Sequence, residues 1–378
     1  MEKRIYLDYA ATTPLAEEVN RAVYAFGQKD TGNPSSPHRF GQQAKILLED
    51  ARDVVAAGLN CKPGEIIFTS GGTESNNAAI TGTLNAVDSI GKHIILSALE
   101  HPSVLETAAY LERIGFEISL IQPDANGLIT PVQVGKSIRP DTVLASIMYV
   151  NNETGIVHDS AGIAEICHKN NIIVHCDAVQ AFGKIPLDTA KLNADLLSVS
   201  AHKVYGPKGI GALIIKKGTP FSGIHFGGGQ EANRRPGTEN LAGVIGFAEA
   251  VKLLEQSKKD MAYAGNLQRL FESAIKQEIP SAVIIGEQMK RTSFISAIAF
   301  PGIHNENMLL NLDLAGIAVS VGSACSSGSI KQSHVLKAMA LPDEIINSTI
   351  RFSYGRYTKP KELDETVNTI KQIIKRLA

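Results

Sequence analysis

Cysteine is scarce. Four occur in 378 residues, Cys61, Cys167, Cys176 and Cys325. No two of them form a CxxC pair or a zinc-ligand spacing, so no metal site is expected. In a reducing compartment they are expected to be free thiols. An excess of charge of either sign is also missing. The formal net charge is −1, which leaves no global field to recruit nucleic acid or an acidic membrane. No apolar run approaches membrane-spanning length. The opening Met1-Glu-Lys-Arg-Ile-Tyr-Leu-Asp8 lacks the apolar core of a signal peptide, and the expected location is the cytoplasm. There is no low-complexity segment and no clear internal repeat.

The chain is 44% hydrophobic and 20% charged, and it is long enough for one large domain with a sizeable core and a smaller one. Residues 5–14 read as a short strand running into a polar turn, and 30–37 as a loop. Residues 38–58 read as a helix with Leu47, Ala51, Val54 and Val55 on one face and Gly58 at its end. Strands and helices then alternate. Strands are predicted over 66–70, 93–97, 117–121, 142–150, 172–176, 196–200 and 211–216, and helices over 74–87, 103–114 and 160–170, the last capped by Ser160. Later come helical periods over 241–256 and 260–277, strands over 282–285 and 294–300, and a helix over 362–377. The expected fold class is α/β, a mostly parallel sheet with helices on both faces, plus a small α+β domain. The expected division is 15–257 for the large domain and 1–14 with 258–378 for the small one. Ligands of such sheets sit at the carboxyl ends of the strands.

Residues able to do chemistry gather at those ends. Lys203 follows the 196–200 strand and precedes a Gly/Pro-rich turn. It either snorkels to solvent or, desolvated, serves as a nucleophilic amine toward a carbonyl cofactor. Ser70-Gly-Gly-Thr-Glu-Ser75 joins a strand to a helix. Its free N–H groups and the Thr73 and Ser75 hydroxyls suit a phosphate, and ordinary capping accounts for them as well. It is neither a Walker motif nor GxGxxG. Asp177 suits a ring nitrogen or a turn, with Gln180 in reach of the same place. His101 suits ring stacking and proton transfer or a helix start. Asn151, Asn152 and Glu153 suit a ligand or a turn. Cys325 lies in Gly322-Ser-Ala-Cys-Ser-Ser-Gly-Ser329, a run of small residues with little to pack. The other three cysteines read as core residues.

Taken together these segments resemble the pyridoxal-phosphate cysteine desulfurases of the NifS/IscS group, within the class V aminotransferase-like enzymes. The matching segments run along nearly the whole chain: LDYAATTP (7–14), GNPSSPHRFGQQA (32–44), TSGGTESNN (69–77), EHPSV (100–104), VNNETG (150–155), CDAVQAFGKIPLD (176–188), SAHKVYGPKGIGAL (200–213), RRPGTEN (234–240), GSACSSGS (322–329) and RFSYGRYT (351–358). The resemblance implies the fold type I, aspartate aminotransferase-like architecture and pyridoxal 5'-phosphate as cofactor. It implies that Lys203 is the Schiff-base lysine, that Asp177 binds the pyridine nitrogen and that His101 stacks on the ring. It places Asn152 and Gln180 near the ring hydroxyl, and Gly72, Thr73, Ser200 and His202 at the phosphate. Thr238 matches a phosphate contact lent by a second subunit, which implies a homodimer. Arg351 matches the clamp for the substrate carboxylate, with Asn33 and Asn152 beside the substrate. Cys325 matches the catalytic cysteine.

The implied reaction takes L-cysteine to L-alanine and leaves a persulfide on Cys325. Lys203 moves the Cα proton, and His101 shuttles the thiol proton. The sulfur then goes to an acceptor protein, a scaffold or a tRNA thiolase, with no membrane or direct nucleic-acid partner. Three departures stand out. The cup reads Gly-Gly-Thr where Gly-Ala-Thr is usual. Gln230-Glu-Ala-Asn lacks the usual Arg-Gly, which puts a surface or dimer-edge contact in doubt. The chain ends at Ala378, soon after its last helix, from which a dedicated donor to tRNA thiolation or a thio-cofactor pathway is expected rather than one docked to an iron–sulfur scaffold. The alternatives are a class V aminotransferase, which does not need Cys325, selenocysteine lyase activity at the same site, and a non-catalytic partner protein that keeps the fold.

Overall fold

The computed structural model describes residues 4–28, 32–87, 91–322 and 332–377. The chain opens with β1 (Ile5–Tyr6) and helices α1 (Glu17–Gly27) and α2 (Arg39–Leu59). The central sheet then forms from β2 (Ile66–Thr69), β3 (His93–Ser97), β4 (Glu117–Ile121), β5 (Thr142–Ser146), β6 (Ile173–Asp177), β7 (Leu196–Ser200) and β8 (Gly211–Ile215). Helices α3 (Gly72–Ala86), α4 (Pro102–Arg113), α5 (Pro131–Ser137) and α6 (Ser160–His168) intervene. The sheet has seven strands in the order β2-β8-β7-β6-β5-β3-β4. Pairings from β7 through to β4 are parallel, whereas β8 runs antiparallel to both β7 and β2. The sheet is therefore mostly parallel, as predicted, with one antiparallel edge.

Strands covered on both faces lose the usual alternation of apolar and polar residues. Every residue of β7 and β8 is buried. Polar residues inside such strands must pair with one another. Ser146 of β5 and Ser198 of β7 flank His175 of β6 at 2.7 and 2.9 Å, and Ser119 of β4 and Thr142 of β5 flank His93 of β3 at 2.8 and 2.7 Å. Burial pushes the His175 imidazole down to about 3, so it serves the sheet as a neutral ring.

The structure corrects three local expectations. The strand predicted over 142–150 leaves the regular ladder at Ser146, because the Met148 N–H is diverted to the Glu100 carboxylate at 2.7 Å. The cap of α6 is Asp159, which accepts from Gly162 N at 3.1 Å, and not Ser160. Helix α2 ends on Asn60, a left-handed cap at φ 54, and not on Gly58. Gly58 has a packing role instead: a Cβ there would lie 2.2 Å from Val251 Cγ1, in the helix Leu241–Lys252.

The remaining strands are β9 (Val283–Ile284), β10 (Ile295–Ala299), β11 (Ile317–Ala318) and β12 (Thr349–Ser353). They form a three-stranded sheet, β12-β10-β9, and a parallel β1-β11 pair. Ile5 and Leu7 share a buried cluster with Leu267, Phe271, Phe352 and Ile370. A second cluster joins the two regions, packing Val335, Leu336 and Met339 against Ile163 and Val174. Among the described residues no helix is long and apolar enough to cross a membrane.

Candidate active site

The carboxyl ends of β3, β5, β6 and β7 converge on a cavity of about 390 Å3, which residues of the 8–11 and 320–322 segments and Arg351 complete. A larger cavity of about 740 Å3 opens beside α2 and the 185–192 stretch. Its wall is mainly aliphatic, and the polar side chains that converge are those of the smaller one. Gly72, Thr73, His101, Asn152, Asp177, Gln180, Ser200, His202, Lys203 and Arg351, all predicted from sequence, line that smaller cavity.

At one part of its wall α3 begins. Gly71 adopts φ 148, and a Cβ on Gly72 would lie 2.8 Å from Val179 Cγ2, so two glycines let the helix start approach the turn after β6. The buried Ser200 Oγ has no hydrogen-bond partner among the described residues. His202 contacts Thr12 Oγ1 through Nδ1 at 3.2 Å. Desolvation lowers this imidazole to about 4, and the neighbouring Lys203, Lys184 and Lys208 act in the same direction. Two parts of the expected cup are otherwise engaged. Ser75 Oγ pairs with Thr69 Oγ1 at 2.8 Å, and the Ser70 N–H donates to Glu74 at 2.7 Å.

Asp177 ends β6 and is 6% exposed. Its Oδ2 accepts from Asn76 Nδ2 at 2.7 Å and its Oδ1 from Val179 N at 2.9 Å. Both donors are neutral, so the carboxylate keeps its charge for a cationic ligand atom. His101 caps α4, accepting from Ser103 N on Nδ1 at 3.1 Å, an acceptor role that leaves the proton on Nε2. Desolvation lowers its affinity for a second proton, the Asp177 charge opposes that, and Lys203 and His334 add to it. Of the polar run after β5, only Asn152 lines the cavity. Asn151 caps the turn, its Oδ1 accepting from Glu153 N and Thr154 N at 3.0 and 2.9 Å.

Lys203 is half-buried and does not extend outward into solvent. A 3-10 turn over Ala201–Lys203 carries it inward, where Nζ donates to the carbonyls of Ala10 and Ala11 at 2.6 and 2.8 Å. Desolvation lowers its pKa to about 8, Arg351 adding to the shift and Asp8 and Asp177 opposing it. An amine so poised is available as a base or nucleophile near neutral pH. Arg351, 6% exposed, donates to Asp8 Oδ1 and to the Asn152 carbonyl, each at 2.9 Å. Its Nε is buried without a partner among the described residues.

Two predicted residues are not brought into the cavity. Asn33 is exposed, and its Oδ1 accepts from Ser35 N at 2.9 Å. Thr238 is also exposed. Cys325 lies outside the described residues. Cys167 and Cys176 are buried and Cys61 partly so, and desolvation raises all three thiols, Cys61 and Cys167 to about 12.

Further residues hold the site in place, Asn76 and Asp8 among them without having been expected from sequence. Asn76 supports Asp177, and the helical period placing it below Gly72 and Thr73 was the available signal. Asp8 pairs with Arg351 across 343 positions, a separation that leaves no local trace. Buried Glu153 accepts from Ser333 Oγ on Oε2, and a Cβ on Gly322 would lie 1.8 Å from the same oxygen. Gln230–Asn233 holds left-handed φ at Glu231, Ala232 and Asn233 (46, 55 and 62), so the missing Arg-Gly falls where glycine is conformationally preferred. The turn is held by a buried Arg52–Glu231 pair at 2.6 Å, and the following Arg235 pairs with Glu74 at 2.9 Å.

A phosphorylated pyridine aldehyde fits this set. Ser200 Oγ is an orphan donor beside a glycine-formed helix start. A charged carboxylate faces the cavity with neutral supports. Lys203, bonded only to carbonyl oxygens, supplies the amine such an aldehyde requires.

The family model for aminotransferase class V matches residues 5–366. A curated relative from Dictyoglomus turgidum, "Cysteine desulfurase IscS", is 44% identical over 378 residues, covering 100% of this chain and 96% of its own length. One of the same description from Methanosarcina thermophila is 41% identical, covering 99% of this chain and 93% of its own. Among solved structures, a "NifS-like protein" superposes with a TM-score of 0.93 at 34% identity, covering 99% of this chain and 100% of that one.

Proposed function

This chain belongs to the aminotransferase class V family and is a pyridoxal-phosphate-dependent cysteine desulfurase acting on L-cysteine, and from that premise we propose how its own residues divide the work. The observation that carries the proposal is the convergence of Asp177, Lys203 and Arg351 on one cavity, with Lys203 lacking a carboxylate partner among the described residues. Gly72, Thr73, Ser200 and His202 hold the phosphate, Thr238 of a second copy completes it, and the working unit is a homodimer. Asn152 and Gln180 face the ring oxygen, and His101 covers the ring. When bound, the cofactor supplies an electron sink that makes the substrate Cα–H acidic and weakens its Cβ–S bond.

The chain's residues do the rest. Asp177 holds a proton on the ring nitrogen by keeping a negative charge beside it. Lys203 Nζ takes the proton from Cα and returns it. Arg351 orients the substrate through its carboxylate, with Asn33 and Asn152 beside it. The Cys325 thiolate attacks the substrate sulfur, so that the Cβ–S bond breaks as the S–S bond forms, and the electron pair left on Cβ takes up a proton, leaving L-alanine and a persulfide on Cys325. His101 Nε2 handles the thiol proton.

The division into a cofactor domain (15–257) and a smaller domain (1–14 and 258–378) belongs to this proposal. It is supported by the buried cluster uniting Ile5 and Leu7 with residues beyond Leu267. The sulfur passes to an acceptor protein in the cytoplasm. Relatives described as IscS favour an iron–sulfur scaffold as the acceptor over a tRNA thiolase or a thio-cofactor pathway. Calorimetry against both kinds of acceptor decides between them, and tight binding to the thiolase alone would reverse that preference.

The central test is Cys325→Ala, assayed for alanine and sulfide from L-cysteine. Turnover is expected to vanish while the visible absorption of bound cofactor persists, and near-normal turnover would remove Cys325 from the reaction. Lys203→Ala is expected to abolish that absorption band and turnover together.

A further inference from the structure

Behind the cavity wall lies a second lysine that the reaction above does not use. Gly183, at φ 71, turns the chain between Leu254 and Val204, and Lys184 points inward from this turn, 5% exposed. The charged groups close enough to act on it are Lys203 and Arg351, both cationic. Burying an amine among cations is unfavourable, and an aliphatic side chain would fill the same space without that penalty. The amine is held by Gln180: Lys184 Nζ donates to Gln180 Oε1. Gln180, 4% exposed, in turn donates from Nε2 to the Ala10 carbonyl at 2.8 Å, the oxygen that also accepts from Lys203 Nζ at 2.6 Å.

The two ends of a glutamine amide have nearly the same shape and opposite hydrogen-bonding character. Packing alone does not choose between them, but the two hydrogen bonds do, the Lys184 amine donating to Oε1 and the Ala10 carbonyl accepting from Nε2. With Lys184 against Oε1, only the N–H end of Gln180 can point toward Ala10 and the cavity. We propose that Lys184 is a positioning residue, which fixes the Gln180 amide with its donor end inward so that it can meet only an acceptor oxygen of the bound ligand. This rests on the reading, given above, that Gln180 faces the ring oxygen of the cofactor. Lys184 acts through Gln180 and touches neither substrate nor cofactor.

The two residues should therefore behave as one unit. The rate of cofactor release from the holoenzyme, followed by loss of visible absorption on dilution, is measured for wild type, Lys184→Met, Gln180→Ala and the double variant. Each single change is expected to speed release by about tenfold, and the double variant should release no faster than the faster single. Lys184→Arg, which keeps a donor, should restore release to within about threefold of wild type. If Lys184→Met does not fold, Lys184→Leu takes its place under the same criteria. Multiplicative effects in the double variant, or wild-type release from Lys184→Met, would overturn the inference while leaving Gln180 at the cofactor. Wild-type release from Gln180→Ala would instead overturn the placement of Gln180 itself.

Discussion

Asp177 and Arg351 line the same cavity and are equally buried, each 6% exposed, yet the protein holds them in opposite ways. Asp177 is fixed by an amide and a backbone N–H, neither of which neutralises it. Arg351 is fixed by a carboxylate, Asp8, and a carbonyl. A buried charge with neutral supports is ready for a ligand of opposite sign, whereas one already in an ion pair must exchange a partner to bind. The Asp177 side is therefore prepared for a cofactor that stays, and the Arg351 side for a substrate that comes and goes.

The strongest way to break this contrast is Asp177→Asn, which keeps the shape and removes the charge. Turnover is expected to fall by about 10²–10³-fold, measured as alanine formation by protein with cofactor bound. A loss of only a few-fold would make the Asp177 charge as dispensable as the contrast makes that of Asp8.

Acid should separate the two sides next. The His175 imidazole, in the strand that ends in Asp177, is held at about 3 by burial, below the ordinary 6.5. For a depressed value the stabilisation is complete above pH 6.5 and declines as pH falls below that toward 3. Strand β12, which carries Arg351, contains no histidine. Amide exchange at pH 5, corrected for its intrinsic pH dependence, should rise more in β5–β7 than in β12. Equal rises would place the acid sensitivity elsewhere.

A smaller effect is expected from Asp8→Asn. Freed of its partner, Arg351 should bind the substrate carboxylate more tightly, lowering KM for L-cysteine by about three- to tenfold with little change in kcat. A higher KM would mean that Asp8 holds the guanidinium in place for substrate rather than competing with it. The smallest effect concerns the scaffold behind the α3 start. Ala232→Gly relieves one left-handed non-glycine residue and should raise stability by about 1 kcal/mol in denaturant titration. Unchanged stability would show that the Arg52–Glu231 pair already offsets the strain.

What could be read beforehand follows from how local each determinant is. The strands of the central sheet are short apolar runs, and Asp177, Lys203 and His101 stand just beyond them, so the face on which ligands bind was visible in the order of residues. Helix Asn305–Leu314 was not. Its buried residues, Asn305, Met308 and Leu312, make no apolar stripe. Nor was the antiparallel edge, since a buried strand reads alike in either direction. Lys203 shows the limit most clearly. Its strand could not tell inward from outward, and the answer came from two carbonyls of the N-terminal segment.

Strand β2 has one neighbour, β8, and its Thr69 faces Gly211. During synthesis, at roughly 5–20 residues per second, its partner emerges about 7–30 s later. The wait for β1 is longer still, because Ile5 pairs with Ile317. For that interval Ile66-Ile-Phe-Thr69 is an apolar strand without its partner, open to pairing with other edges. The carbonyls that receive Lys203 are made early and wait for their amine, and Asp8 waits for Arg351 across 343 positions. The cofactor therefore has no complete cavity to enter until the N-terminal segment has docked on late-made residues, and cofactor capture marks the close of folding rather than its beginning.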